Sequence, residues 1–222
     1  MKVKPNHFAG MIGSTEITKK DGEKYTVRNN RHRYFFPDEW MVFYDGLRPR
    51  QKVTFHFLIN TGARINEVRQ IKVQDVDFDR NSIICKWTKG RNKDGSRKIR
   101  VLSVSTQFIK WIKWVIKEYH LKPEDGFPIL STPAANICMK KRLRKSGIND
   151  WTMFSIHNVR KTLETWLISL DIDSLKIIKH FGHTMDIAAK FYVSSDTFNY
   201  EDKQIIRKII GDLYQQQQQR GF

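Results

Sequence analysis

The chain has 222 residues, enough for one domain of ordinary size or a domain with an arm, but not for two large domains. Its 40 Lys and Arg against 23 Asp and Glu leave a formal charge of +17, and 40% of the residues are hydrophobic, so a folded body with uncompensated surface cations is expected. Nucleic acid is the commonest polyanion to match such a surface, although ribosomal, membrane-surface and heparin-binding proteins share it. No run approaches the ~18 apolar residues of a membrane span, and the start MKVKPNHFAG lacks the apolar core of a signal peptide, which points to a soluble intracellular protein. Cys85 and Cys138 have no metal-cluster spacing and read as reduced, buried thiols.

Residues 1–34 show no sustained periodicity and read as a basic arm, at most with a hairpin across ITKKDGEKYTV, where Asp21-Gly22 signals a turn. Pro37-Asp38-Glu39 suits a first helical turn, giving a helix through about Tyr44 that Asp45-Gly46 ends. A buried helix follows from Arg50 to Thr61-Gly62, and a short one near Arg64. β-type residues at 73–78, 82–87 and 98–102, separated by polar turns, predict a small antiparallel sheet of three strands. Helical periodicity then dominates: one stripe through Phe108, Ile112, Val115 and Tyr119, another through Ile156, Val159, Leu163, Trp166, Leu167 and Leu170, and shorter helices at 134–145, 173–181 and 185–193. A last amphipathic helix fits 201–214, before a Gln-rich tail. The predicted class is mixed, mainly α with a small three-stranded antiparallel β-sheet.

Two residue pairs stand out for chemistry. The apolar stripe of the helix near Ser155 leaves His157 and Arg160 together on another face, three residues apart, where both side chains can reach one ligand. Arg64 and Glu67 share the same geometry, because Ile65 and Val68 take the buried side. Each pair alone most often marks nothing more than a solvated helix face. His180 and His183 have no second close pair with which to hold zinc, so no metal site or cofactor is expected. The run Lys140-Lys141-Arg142 with Arg144-Lys145 is suited to tracking phosphates along a nucleic-acid backbone.

Order and spacing change the reading. TGARINEV at 61–68 resembles the TG-x-R-x-x-E signature of the tyrosine recombinase (phage integrase) family, and HNVR at 157–160 resembles that family's H-x-x-R box. Gly182-His183 follows, with His183 placed 23 residues after Arg160 and Tyr192 nine after His183, both spacings typical of the family. The strands around Lys89 sit where the family has its hairpin lysine, and FFPDEW at 35–40 resembles the lead-in to its catalytic domain. The chain departs from the pattern at Lys161, where His is frequent, and at Met185-Asp186, where small hydroxyl residues are usual. Its hairpin loop also carries Arg91, Lys93, Arg97 and Lys98, so which lysine serves stays open.

The resemblance implies a catalytic domain over 35–200, a basic arm before it and a C-terminal helix with a Gln-rich tail at 201–222. It implies Tyr192 as nucleophile on a DNA phosphodiester, forming a 3′-phosphotyrosyl link without metal or ATP. Arg64 and Arg160 would grip the non-bridging oxygens, Lys89 would protonate the 5′ leaving oxygen, and His157 and His183 would bond the phosphate or help take the tyrosine proton. Glu67 would orient a neighbour. The implied partners are double-stranded DNA and further copies of the chain, as a dimer or tetramer, in the cytoplasm of a cell or of a host. A type IB topoisomerase-like relaxing activity and a non-catalytic DNA-binding protein remain alternatives. The family's separate core-binding domain has no room in 34 residues, so the chain is expected to be a minimal member or a catalytic fragment. The terminal helix is expected to dock either on a neighbouring protomer or on its own domain.

Overall fold

The computed structural model describes residues 15–18, 24–27, 33–86, 88, 92, 94–182 and 198–214. The hairpin expected in the arm is formed by β1 (Thr15–Thr18) and β2 (Lys24–Val27), paired antiparallel. The body then runs α1 (Pro37–Asp45), α2 (Pro49–Thr61), the single turn α3 (Ile65–Val68), β3 (Val76–Asp77), β4 (Ser82–Cys85), β5 (Arg100–Ser103), α4 (Thr106–Glu118), α5 (Thr132–Lys145), α6 (Ile156–Ser169), α7 (Ser174–Phe181) and α8 (Tyr200–Ile210). The class is the one expected, mainly helical with one three-stranded antiparallel sheet in the order β3-β4-β5. No helix among the described residues is long and apolar enough to cross a membrane.

The helix limits follow local chemistry. Pro37 and Pro49 occupy first turns, where the missing N–H costs nothing. Ser105, Ser131 and Asp173 cap α4, α5 and α7 with side-chain oxygens on free backbone N–H groups. The segment 73–78, expected to be a strand, departs from that reading. Its first half is a 3-10 turn, Val73–Asp75, because the Val73 and Gln74 amides donate to the Asp125 and Pro123 carbonyls (3.0 and 2.9 Å) while Asp75 accepts from the Lys72 amide at 3.0 Å. Only Val76 and Asp77 remain to pair with β4.

The helix α6 is buried well beyond the apolar stripe read from the sequence. Asn158, Arg160, Thr162, Glu164, Thr165 and Ser169 are buried along with its apolar residues. The side chains of Asn158, Arg160, Thr162 and Ser169 hydrogen-bond within the protein, as buried polar groups do. The Thr162 hydroxyl accepts from the Phe35 amide at 2.9 Å, the Asn158 amide donates to the Arg33 carbonyl at 2.7 Å, and the Trp166 indole donates to the Phe35 carbonyl at 3.1 Å. Arg33 is itself buried, with Nε 2.8 Å from Asp150 Oδ2 and Nη2 2.5 Å from Glu39 Oε1. Arg33 and Tyr34, placed in the arm by sequence, therefore belong to the body.

The last helix packs on its own domain. Ile206, Ile210 and Leu213 are buried, Phe198 lies 5.9 Å from Tyr34 and 5.5 Å from Phe36 between ring centroids, and Asp212 accepts from the Thr106 amide at 2.7 Å. Of the two dockings the sequence left open, this structure has the one within the chain. Cys85 is buried as expected, whereas Cys138 is only half-buried, because α5 lies at the surface.

Candidate active site

Two chain reversals meet at one corner of the body. The first is the end of α2, where Gly62 adopts a left-handed conformation (φ 57°) and its amide closes the helix on the Leu58 carbonyl at 2.9 Å. An alanine Cβ there would stand 2.6 Å from the Phe181 ring, so the position requires glycine both for its backbone and for its space. The turn delivers Arg64 as the N-cap of α3. Glu67, three residues on, accepts from the Arg64 backbone amide and from its Nη1, both at 2.9 Å. The carboxylate is almost fully buried, while the Arg64 side chain is 38% exposed and open to solvent.

The second reversal is the end of α7, where Gly182 is again left-handed (φ 64°). The carbonyl of Phe181, at the negative end of that helix, accepts from two guanidinium groups. Arg160 of α6 donates to it through Nη2, and Arg100 of β5 through Nη1 at 2.6 Å. Arg160 also donates through Nη1 to the Gly62 carbonyl at 2.6 Å, which joins the two reversals directly. Arg100 donates through Nη2 to Glu67 Oε2 at 2.8 Å. One chain of polar contacts thus runs Arg64, Glu67, Arg100, Phe181, Arg160, Gly62. Burial, and then the charges of Arg100 and Arg64, push the pKa of Arg160 down to about 9, which leaves it cationic at neutral pH. The Glu67 carboxylate bonds two of these three guanidinium groups, those of Arg64 and Arg100, an arrangement that an incoming anion would complete.

His157 lies one turn before Arg160 on α6. It is exposed, yet the protein mass around it, followed by the charges of Lys161, Arg160 and Arg64, pushes its pKa down to about 4. At neutral pH it is therefore an uncharged imidazole, better suited to hydrogen-bonding a phosphate than to holding a proton. Beneath the corner, the buried His180 donates from Nε2 to the Thr61 carbonyl (2.9 Å), since a carbonyl can only accept, and its Nδ1 accepts from the Tyr214 hydroxyl at 2.7 Å. Burial first, then Arg100, push its pKa down to about 3. His56, packed against Trp111 at 4.4 Å between ring centroids, is pushed down to about 4 by burial.

These three histidines make folding acid-sensitive in a defined window. Each binds a proton near pH 6.5 when unfolded but not when folded, so its contribution is full above that pH and is lost as the pH falls toward 3–4. Between pH 6.5 and 5, His180→Gln is expected to reduce the pH slope of unfolding free energy by an amount that grows from about 0.7 to about 1.3 kcal/mol per pH unit. Urea titrations at a series of pH values check this; an unchanged slope in the variant contradicts it.

The family model described as "Phage integrase family" matches residues 39–198 of the chain. This chain belongs to the phage integrase family. Tyrosine recombinase XerA of Pyrococcus horikoshii is 24% identical over 178 residues, which are 73% of this chain and 58% of that protein. The chain thus spans about three-fifths of the length of this curated relative. Among solved structures, the Tn1549 transposon integrase in complex with transposon right end DNA superposes with a TM-score of 0.61 at 16% identity, covering 82% of this chain and 66% of that one. The XerH site-specific recombinase bound to difH substrate gives 0.59 at 15% identity, covering 84% and 57%. At these identities the likeness is one of fold.

Of the residues that carry the phage integrase motifs, Arg64, Glu67, His157 and Arg160 are gathered at this corner. Lys89, His183 and Tyr192 lie outside the described residues, as does the helix expected at 185–193. His183 directly follows Gly182, whose position the Phe181 carbonyl contacts set. The basic run of α5 divides. Lys141, Arg144 and Lys145 are exposed, whereas Lys140 and Arg142 are half-buried and the Arg142 guanidinium lies against Gly46 in the turn after α1. Helix α5 borders the corner at two points, with Thr132 Oγ1 donating to Asn66 Oδ1 at 3.1 Å and Asn136 Oδ1 accepting from the Ile156 amide at 2.8 Å.

Arg100 was missed by the sequence reading, although a signal was present. In Ile99-Arg100-Val101-Leu102 the period of two puts Arg100 on the same face as Leu102, which is fully buried, and turns Ile99 and Val101 outward.

Proposed function

We propose that the chain is the catalytic part of a site-specific DNA recombinase that cuts and rejoins strands through a 3′-phosphotyrosyl intermediate. The observation that carries this is the guanidinium corner: Arg64 and Arg160 from two family motifs and Arg100 from one strand meet there, Arg64 and Arg100 on the buried Glu67 carboxylate and Arg160 with Arg100 on the Phe181 carbonyl. An entering phosphodiester supplies the missing negative charge. The outward fork of Arg64 is free to meet a non-bridging oxygen in a planar, charge-assisted pair, and Arg160 lies within the same electrostatic neighbourhood. Tyr192 Oη attacks phosphorus, the bond to the 5′ oxygen breaks, and Lys89 gives that oxygen its proton. The tyrosine proton passes toward His183 while the uncharged His157 hydrogen-bonds the phosphate, and the phosphotyrosyl ester keeps the bond energy for rejoining. The exposed cations Lys141, Arg144 and Lys145 follow the backbone beside the cut. Because exchange needs two duplexes, the working form is a dimer or tetramer of this chain on paired sites, in the cytoplasm where its DNA lies.

The test is to incubate the protein with a library of nicked duplexes and recover covalent adducts. Adducts on the 3′ phosphate of a restricted set of sites, formed equally in EDTA because the cationic side chains carry the charge, are expected. Absence of adducts on every duplex, or a strict requirement for magnesium, contradicts the reading.

A further inference from the structure

We propose that Arg100 is a positioning residue of the cleavage site, holding Arg64 and Arg160 in their working arrangement through Glu67 and the Phe181 carbonyl; this rests on the recombinase reading above. The strand β5 hides an arginine on its inner face, with the side chain 11% exposed, and turns Ile99 and Val101 to solvent at 66% and 59%. Burying the two apolar residues instead would be the cheaper arrangement by the hydrophobic effect, so the inward cation calls for another account.

Its contacts supply one. Nη1 and Nη2 are both committed to protein acceptors, and each acceptor is shared with an arginine of the site. Glu67 Oε2, which takes Arg100 Nη2, also takes the Arg64 amide, and the Phe181 carbonyl, which takes Arg100 Nη1, also takes Arg160 Nη2. Arg100 therefore spans the α3 corner and the end of α7, and is placed to hold these arginines without itself contacting the phosphate. The planar fork is essential, since a lysine ammonium on its single stem cannot present two fixed donors to acceptors on different elements. The third donor, Nε, is buried without an acceptor among the described residues. An apolar replacement gives up two hydrogen bonds but also removes this unsatisfied group, while Glu67 keeps its two contacts to Arg64.

The experiment measures single-turnover cleavage at saturating DNA, and affinity for the same duplex, in wild type, Arg100→Met and Arg100→Lys. Displacing the site arginines by an ångström or so predicts a rate about 100-fold lower in Arg100→Met, with affinity unchanged. Arg100→Lys, which restores charge without the fork, is expected to stay about tenfold below wild type. A wild-type rate in Arg100→Met overturns the assignment. A parallel fall of rate and affinity also overturns it, since that marks a direct DNA contact, as does full recovery in Arg100→Lys, which marks charge alone. If circular dichroism shows Arg100→Met to be unfolded, Arg100→Lys decides by the same criterion. An active wild type beside unaffected variants sinks this proposal alone, whereas a wild type that forms no adduct sinks the recombinase reading and this proposal together.

Discussion

Tyr192→Phe is expected to form no covalent DNA adduct on any duplex while binding DNA as tightly as wild type. On the proposed mechanism the substitution removes one oxygen and leaves the ring, so it deletes the nucleophile and nothing that grips the backbone. Affinity carried by the cations should fall steeply with salt as phosphate contacts release counterions. The check is a denaturing gel of labelled duplex beside a binding curve from the same preparation. Adducts surviving in the variant would remove Tyr192 from the role, and loss of both adducts and binding would show that the tyrosine serves the fold.

The second large effect separates two kinds of cationic catalysis. Arg160→Met keeps the buried volume but removes a cation that, in the proposed mechanism, offsets the developing negative charge, so cleavage should fall about 10²–10³-fold. Lys89→Ala should also be slow on ordinary DNA, because an alkoxide leaves poorly without a proton. Replacing the 5′-bridging oxygen by sulfur distinguishes them: the thiolate leaves unaided, so Lys89→Ala is restored and Arg160→Met is not. Restoration of Lys93→Ala in place of Lys89→Ala would move the proton donor along the hairpin. Restoration of Arg160→Met would mean that its charge acts on the leaving group.

What was legible in the sequence was what local rules encode. Breakers such as Pro37, Gly46 and Gly62 marked helix ends to within a residue or two, because each acts on its own neighbours. Arg64 and Glu67 were readable as a pair because a single helical turn sets their spacing. Long-range partners were not legible. Val73 and Gln74 have strand-like neighbours, but their amides go to carbonyls about 50 residues away in sequence, and the segment coils. Arg160 was placed on an open face by periodicity alone, whereas the structure buries it because Gly62 and Phe181 supply carbonyls from two other elements. Arg100 was lost for the same reason: a strand residue announces which face it takes, not what waits there. Tyr214, which completes the environment of His180 from the far end of the chain, had no local sign at all.

The space that Gly62 leaves empty is filled by the Phe181 ring, the carbonyl of Phe181 is an acceptor for Arg160, and Arg160 returns to the carbonyl of Gly62. The T-G, H-x-x-R and G-H signatures are thus three sightings of a single steric and electrostatic closure. Their joint occurrence in a chain is less a set of independent coincidences than one condition written in three places. A substitution at Gly62 or at Arg160 is therefore felt at both chain reversals at once.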